Sequence, residues 1–297
     1  MELERWPNLV SMFFDQAESK GTTPFLWAKR DGKWHSTTWR QASEQVDKLS
    51  RALQSYGLTT GDRVLLVADN SPEWAIADFA IMAARGVTVP AYVTNTRNDH
   101  KHILTDSGAT MAIVSTEKLA QPLLDAAKDT PSLNRIISIE TLTQGPIEHL
   151  TTTLWKDALD HGASQLSELS SQASSIPQDS LACLIYTSGT GGTPKGVMLS
   201  HRAILCNCLG AYDLLLGLGL EDEVFLSFLP LSHSYEHSCG LMFPVAIGAQ
   251  IYYAEGIDKL SSNLTEVRPT LMTSVPRLYE VMRLKILDGV RRAGGLK

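Results

Sequence analysis

Between Tyr186 and Gly196 the chain runs Tyr-Thr-Ser-Gly-Thr-Gly-Gly-Thr-Pro-Lys-Gly, with four small hydroxyl side chains, four glycines and one lysine in eleven residues. Glycines let backbone N–H groups approach phosphate oxygens closely, and successive turn residues can converge several N–H groups into an anion nest. Thr187, Ser188, Thr190 and Thr193 can add hydrogen bonds, and Lys195 supplies positive charge. A polyphosphate is the natural guest. The common P-loop is excluded, because it needs Gly-Lys-Ser/Thr, whereas Lys195 stands between Pro194 and Gly196. Val197-Met198-Leu199 reads as a strand, so a helix dipole adds little and the nest must do the binding. Composition alone also fits a mobile loop with no ligand.

A second constellation, His233-Ser234-Tyr235-Glu236-His237, spells His-x-x-Glu-His, the inverted zinc-hydrolase pattern. On one helix the two histidines would share a face, with Glu236 as general base. Pro230 and Ser232 instead place His233 near a strand-to-helix turn, and a third ligand would have to come from Glu255, Glu266 or Glu280.

The elements that position these segments alternate. A helix over about Leu9–Lys20 precedes a hairpin of residues 25–30 and 33–37 about Asp31-Gly32, a dipeptide suited to a primed turn. Thr38 and Gln41 form a capping box before a helix that Gly57 stops. Strands near residues 64–68, 87–92, 110–115 and 135–139 are separated by helices, one of which starts at Pro72. A serine-rich stretch at 167–180 reads as a linker. Beyond it come strands near 181–186, 224–229, 249–253 and 270–275, with helices near 201–216, 238–247 and 259–267 and another from Pro276. The expected fold class is α/β, with two layered αβα-type lobes and mostly parallel sheets: a first lobe at 1–166, the linker, and a second lobe at 181–297 carrying the glycine loop.

Bulk properties narrow the function classes. With 297 residues, 43% hydrophobic and 20% charged, the chain can bury a large core. A net charge of −6 argues against general nucleic-acid binding. Arg277, Arg283, Lys285, Arg291, Arg292 and Lys297 form a local basic cluster, read as a solvated helix face, with contact to acidic lipid or phosphate as the alternative. The first residues lack the pattern of a signal peptide, and the apolar run 239–254 is broken by Pro244, Gly248 and Gln250. A cytoplasmic location is expected, with peripheral membrane association left open. Cys183, Cys206, Cys208 and Cys239 show no Cys-x-x-Cys pair and read as small buried hydrophobes. Trp27, Trp34 and Trp39 are expected in packing, and His201 in a structural role at a helix start.

The glycine loop resembles the signature loop of the AMP-forming adenylating superfamily, which includes acyl-CoA synthetases, luciferases and peptide-synthetase adenylation domains. The family pattern Thr-Ser-Gly-Ser/Thr-Thr-Gly-x-Pro-Lys-Gly is matched by Thr187, Ser188, Gly189, Thr190, Gly192, Pro194, Lys195 and Gly196, with Gly191 in place of the usual threonine. That replacement removes one hydroxyl and adds flexibility. Asp69-Asn70-Ser71-Pro72-Glu73-Trp74, Gly86–Pro90 and Pro230-Leu231-Ser232-His233 also look like this superfamily. Leu229–Glu236 and Val275–Glu280 look most like its long-chain fatty acid–CoA ligase branch.

The resemblance implies the large N-terminal domain of the adenylate-forming fold, incomplete, and ATP, Mg2+ and coenzyme A as cofactors. A carboxylic acid, most like a long-chain fatty acid, would become an acyl-adenylate and then an acyl-CoA. Thr187, Ser188, Gly189, Thr190, Gly191, Gly192 and Lys195 would bind the phosphates, with Lys195 as a clamp and not a nucleophile. His233 is the implied catalytic-site residue, beside the acyl pocket. The family's adenine and ribose motifs and its C-terminal catalytic lysine are not found in this sequence. The resemblance therefore implies a truncated chain, inactive by itself, whose missing part could reside on another chain. A non-catalytic module that binds a partner remains a third reading, and an exposed apolar face would be its sign.

Overall fold

A computed structural model describes residues 6–143, 145, 147–165, 172–187 and 193–292. The chain opens with α1 (Leu9–Lys20), followed by the hairpin β1 (Pro24–Arg30) and β2 (Lys33–Thr38). Asp31 and Gly32 both take positive φ, 49° and 74°, as a primed turn requires. Thr38 and Gln41 close the capping box on α2 (Trp39–Ser55) as expected.

An alternating series follows: β3 (Arg63–Val67), α3 (Pro72–Ala83), β4 (Val87–Pro90), α4 (Arg97–Ser107), β5 (Met111–Val114), α5 (Glu117–Ala127) and β6 (Arg135–Ser138). β7 (Thr151–Leu154) and α6 (Trp155–Ala163) were not foreseen. The β7 sequence Thr-Thr-Thr-Leu carries little apolar signal because it is a sheet-edge strand, exposed over its first half. Next come β8 (Leu181–Thr187), β9 (Lys195–Ser200), α7 (His201–Leu215) and β10 (Val224–Ser227). A π-helix (Glu236–Met242) runs into α8 (Phe243–Ile247), and β11 (Gln250–Tyr253), α9 (Leu260–Val267) and α10 (Pro276–Arg292) complete the described chain.

The strands form a seven-stranded sheet, β7-β6-β5-β3-β4-β8-β9, and a four-stranded sheet, β10-β11-β1-β2. Pairing is parallel except for β8 with β9 and β1 with β2. Sheet membership does not follow the split expected at 167–180. β1 pairs with β11, Leu26 opposite Ile251, and β8 joins the earlier strands beside β4. Each sheet thus draws strands from both sides of the serine-rich stretch, of which residues 166–171 lie outside the described residues.

Strand alternation divides the seven-stranded sheet's two faces. Val64 and Leu66 of β3 enter the core with α2, α3 and α6, while Leu65 and Val67 enter the core with α4 and α5. Every residue of α3 from Trp74 to Ala83 is buried. It packs against β3 and β4 on one side and β1 on the other, so a helix buried all round lies between the sheets. Phe13 stacks on Phe79 with centroids 4.4 Å apart, and Phe25 on Trp39 at 3.6 Å, locking α1 and the hairpin onto this layer. Trp27 stacks instead on Tyr252 nearer the surface, and Trp34 donates to Glu266.

Two local expectations change. Residues 270–275 make only a single bridge, Leu271 to Phe225, and otherwise run as irregular chain. The helix expected at 238–247 begins earlier, at Ser234, and is π over Glu236–Met242. Pro244 has no N–H to give the Gly240 carbonyl, which favours a wider turn just before it. Cys183 and Cys208 are buried as expected and Cys239 half so, but Cys206 is exposed on α7.

Candidate functional site

β8 and β9 are antiparallel neighbours, and their register places Thr187 opposite Lys195. Thr187 and Lys195, one on each side of the glycine loop in the sequence, therefore face each other across a two-stranded ladder, and both are exposed. Ser188, Gly189, Thr190, Gly191 and Gly192 lie outside the described residues. Among the described residues Lys195 has no carboxylate partner, so its ammonium remains available to an incoming anion.

α4 braces the base of this hairpin. The Pro194 carbonyl lies 2.8 Å from His102 Nε2, and the Tyr186 hydroxyl donates to Asp106 Oδ2 at 2.6 Å. The His102 and Tyr186 rings meet edge to face at 5.9 Å. Burial, then the Asp106 hydrogen bond, push the Tyr186 phenol well above its usual range, so it stays a donor. His102 and Asp106 sit one helical turn apart on α4, a spacing that nothing in the sequence marked as relevant to the loop.

The carboxyl ends of both sheets open on one cavity of about 450 Å³. Lys29 and Arg30 come from β1, Asp69 to Ser71 follow β3, Pro230 and Ser232 follow β10, and Glu255 and Gly256 follow β11. Ligands of parallel α/β sheets bind outside the carboxyl ends of the strands. Arg30 pairs with Glu73, and Lys29 with Glu255 and Glu266, so these cations are already neutralised.

His233 stands in the turn between β10 and the π-helix, with an exposed side chain. Its N–H donates to the Pro230 carbonyl and its Nδ1 accepts from Tyr235 N. The zinc reading of His233, Glu236 and His237 does not survive. His237 is fully buried and places Nε2 2.8 Å from Asp78 Oδ2, on α3. Glu236 is fully buried too, but accepts hydrogen bonds from Ser227 Oγ, at 2.6 Å, and from Thr273 Oγ1. The three side chains are committed to different surroundings, and no metal-binding group of His, Cys, Asp or Glu occurs among the described residues.

Glu236 has a raised pKa, about 7, because burial outweighs the two hydroxyl donors. His201 is structural as expected: it is buried, accepts from Leu9 N, and is held neutral by burial with a pKa pushed down to about 4. No helix among the described residues is long and apolar enough to cross a membrane.

The architecture and the loop together point to one family, and the match is extensive: the AMP-binding enzyme description fits residues 13–296. The chain belongs to the AMP-binding enzyme family. It is 30% identical over 277 residues to the long-chain-fatty-acid–CoA ligase FadD15 of Mycobacterium tuberculosis, covering 92% of this chain and 44% of that protein. It is also 30% identical over 296 residues to the human long-chain-fatty-acid–CoA ligase ACSBG2, covering 98% and 44%. The chain thus spans less than half the length of these relatives. Among solved structures, the A-PCP didomain of the carboxylic acid reductase of Segniliparus rugosus, in complex with AMP, superposes with a TM-score of 0.83 at 19% identity, over 98% of this chain and 45% of that one. At that identity the likeness is one of fold: mixed α/β with mostly parallel sheets, the N-terminal domain of the adenylate-forming architecture.

What sequence reasoning missed is the support around the site: His102, Asp106, Asn70 and Asp78. Asn70 and Asp78 lie in segments marked only by resemblance and by helical periodicity, and their partners are more than 150 residues away.

Proposed function

We propose that this chain supplies the phosphate-binding loop and one wall of the acyl site in an ATP-dependent ligase. That ligase activates a long-chain fatty acid, first as acyl-adenylate and then as acyl-CoA. The carboxylate attacks the α-phosphorus of ATP, the bond to pyrophosphate breaks, and a thiol then takes the acyl group and releases AMP. The names of the relatives, long-chain-fatty-acid–CoA ligases, support this substrate class.

The observation that carries the reading is the pairing of Thr187 with Lys195, which brings the two flanks of the Gly/Ser/Thr segment together beside an ammonium that has no carboxylate partner among the described residues. Thr187, Ser188, Gly189, Thr190, Gly191, Gly192 and Lys195 would hold the β- and γ-phosphates and stabilise charge on departing pyrophosphate. Mg2+, when bound, neutralises part of the phosphate charge. His233 would line the acyl site at the opening of the strand ends, and coenzyme A would be the thiol.

ATP titration of the purified chain tests the reading. Lys195→Ala should weaken ATP binding about tenfold or more, as loss of a charge-assisted contact does. An unchanged affinity would overturn the assignment. The sequence carries the phosphate loop but none of the family's adenine or ribose motifs, so pyrophosphate release by this 297-residue chain should stay at background.

A second reading, a module that docks on another chain, is favoured by the apolar surface of α10. Tyr279, Leu284, Leu287 and Val290 are all exposed there, Tyr279 by 62%. Sedimentation of the isolated chain as a stable monomer would count against it.

A further inference from the structure

We propose that Asn70 is a positioning residue for the acyl side of the site, setting the turn that presents His233. This rests on the reading of His233 as an acyl-site residue.

Asn70 follows β3 and so belongs to the seven-stranded sheet, yet its carboxamide is spent on the other sheet. Its Nδ2 donates to the Leu229 carbonyl at 2.7 Å and to Ser227 Oγ at 3.3 Å. Its Oδ1 accepts from Leu231 N at 3.0 Å. One planar group thereby meets a carbonyl and an N–H two residues apart, which fixes the path of the chain leaving β10. A carboxamide alone among the common side chains of this size offers an acceptor and two donors in that arrangement. A carboxylate would repel the Leu229 carbonyl, and an aliphatic isostere would leave backbone groups unpaired.

The hold passes onward through short steps. Ser227 gives its own proton to Glu236 Oε1 at 2.6 Å, so its oxygen is left to accept from Asn70. The Pro230 carbonyl accepts from His233 N, and the His233 carbonyl from His237 N, both at 2.9 Å. His237 is pinned by Asp78 at the far end. The backbone of His233 is therefore clamped between the turn held by Asn70 and the helix held by Asp78. Its exposed ring makes only the local contact with Tyr235 N among the described residues. Backbone placement thus decides where that ring points.

Asn70→Leu and Asn70→Asp in the 297-residue chain test this with two readouts. The first is amide hydrogen exchange at Leu231 and His233, compared with residues 76–81 of α3. The second is binding of dodecanoate, compared with binding of ATP at the glycine loop. Asn70→Leu should raise exchange at Leu231 and His233 by about tenfold while α3 stays protected, since one local set of hydrogen bonds is lost. It should weaken dodecanoate by a similar factor and leave ATP binding unchanged. Asn70→Asp keeps the acceptor for Leu231 N, and should keep most of that amide's protection. Unchanged exchange at Leu231, or exchange in α3 rising in step with it, would overturn the proposal. If the unaltered chain binds ATP but no dodecanoate, the acyl reading itself fails. If it binds dodecanoate and Asn70→Leu binds it equally well, only the role of Asn70 fails.

Discussion

His237 of the π-helix and Asp78 of α3 face each other at 2.8 Å with both side chains fully buried, although 159 residues separate them in the chain. The pair joins the helix after the His233 turn to the helix between the sheets. Among the described residues Asp78 Oδ1 and His237 Nδ1 find no hydrogen-bond partner, so each side chain depends on the other for its hydrogen bonding. Removing one partner of a buried pair leaves an unpaired polar group. Asp78→Ala and His237→Ala should each destabilise the fold by about 3 kcal/mol, and the double variant by much less than the sum. Urea denaturation of the three variants measures this, and strict additivity would contradict it. Zinc analysis of the unaltered chain should find no stoichiometric metal, because His237 is committed to Asp78.

Glu236 predicts a pH dependence with a definite sign. Its folded pKa, about 7, lies above the ordinary value of 4.5, so between these the folded state holds more protons than the unfolded. The cost of Glu236 is therefore absent below pH 4.5, grows as pH rises, and is complete above about 7. Glu236→Gln removes it. The variant should gain stability relative to the unaltered chain between pH 5 and pH 8, with a ceiling of about 3 kcal/mol. Paired melts across that range decide it. A gain that grows toward low pH would reverse the sign and refute the account.

At Gly162, α6 passes close against the backbone of α2. A Cβ built there would lie 1.8 Å from the Lys48 carbonyl oxygen, which is backbone and cannot swing aside. Gly162→Ala should cost about 3 kcal/mol through forced separation of the helices. Urea midpoints measure this, and a neutral substitution would show that the two helices pack differently.

At Gly240 the obstacle is a side chain. A Cβ there would meet the Glu236 carboxyl at 2.4 to 2.8 Å. Gly240→Ala should therefore disturb Glu236 and its bonds to Ser227 and Thr273, and the resulting loss of stability should be smaller in a Glu236→Gln background. Equal losses in both backgrounds would rule out that coupling.

Several pieces of this molecule were legible from short stretches of residues. The Asp31-Gly32 turn, the Thr38–Gln41 box and Pro72 at the start of α3 each express interactions within four residues, so a linear string carries them. The glycine loop was legible for the same reason, since its hydroxyls, glycines and lysine are contiguous. The helix at 236–247 was placed late, because the partners that hold Glu236 at its start, Ser227 and Thr273, lie outside the segment.

Local order in the sequence thus determined most elements, the phosphate-loop motif and the α/β class. Tertiary structure decided that β8 enters beside β4, that β1 crosses to β11, and that the division into sheets ignores the serine-rich stretch. It also gave Asn70 to Leu231 and Asp78 to His237. The physical reason is that strand pairing and buried polar pairing join groups distant along the chain. Which partner is reached depends on how the whole core packs, not on any window of neighbouring residues.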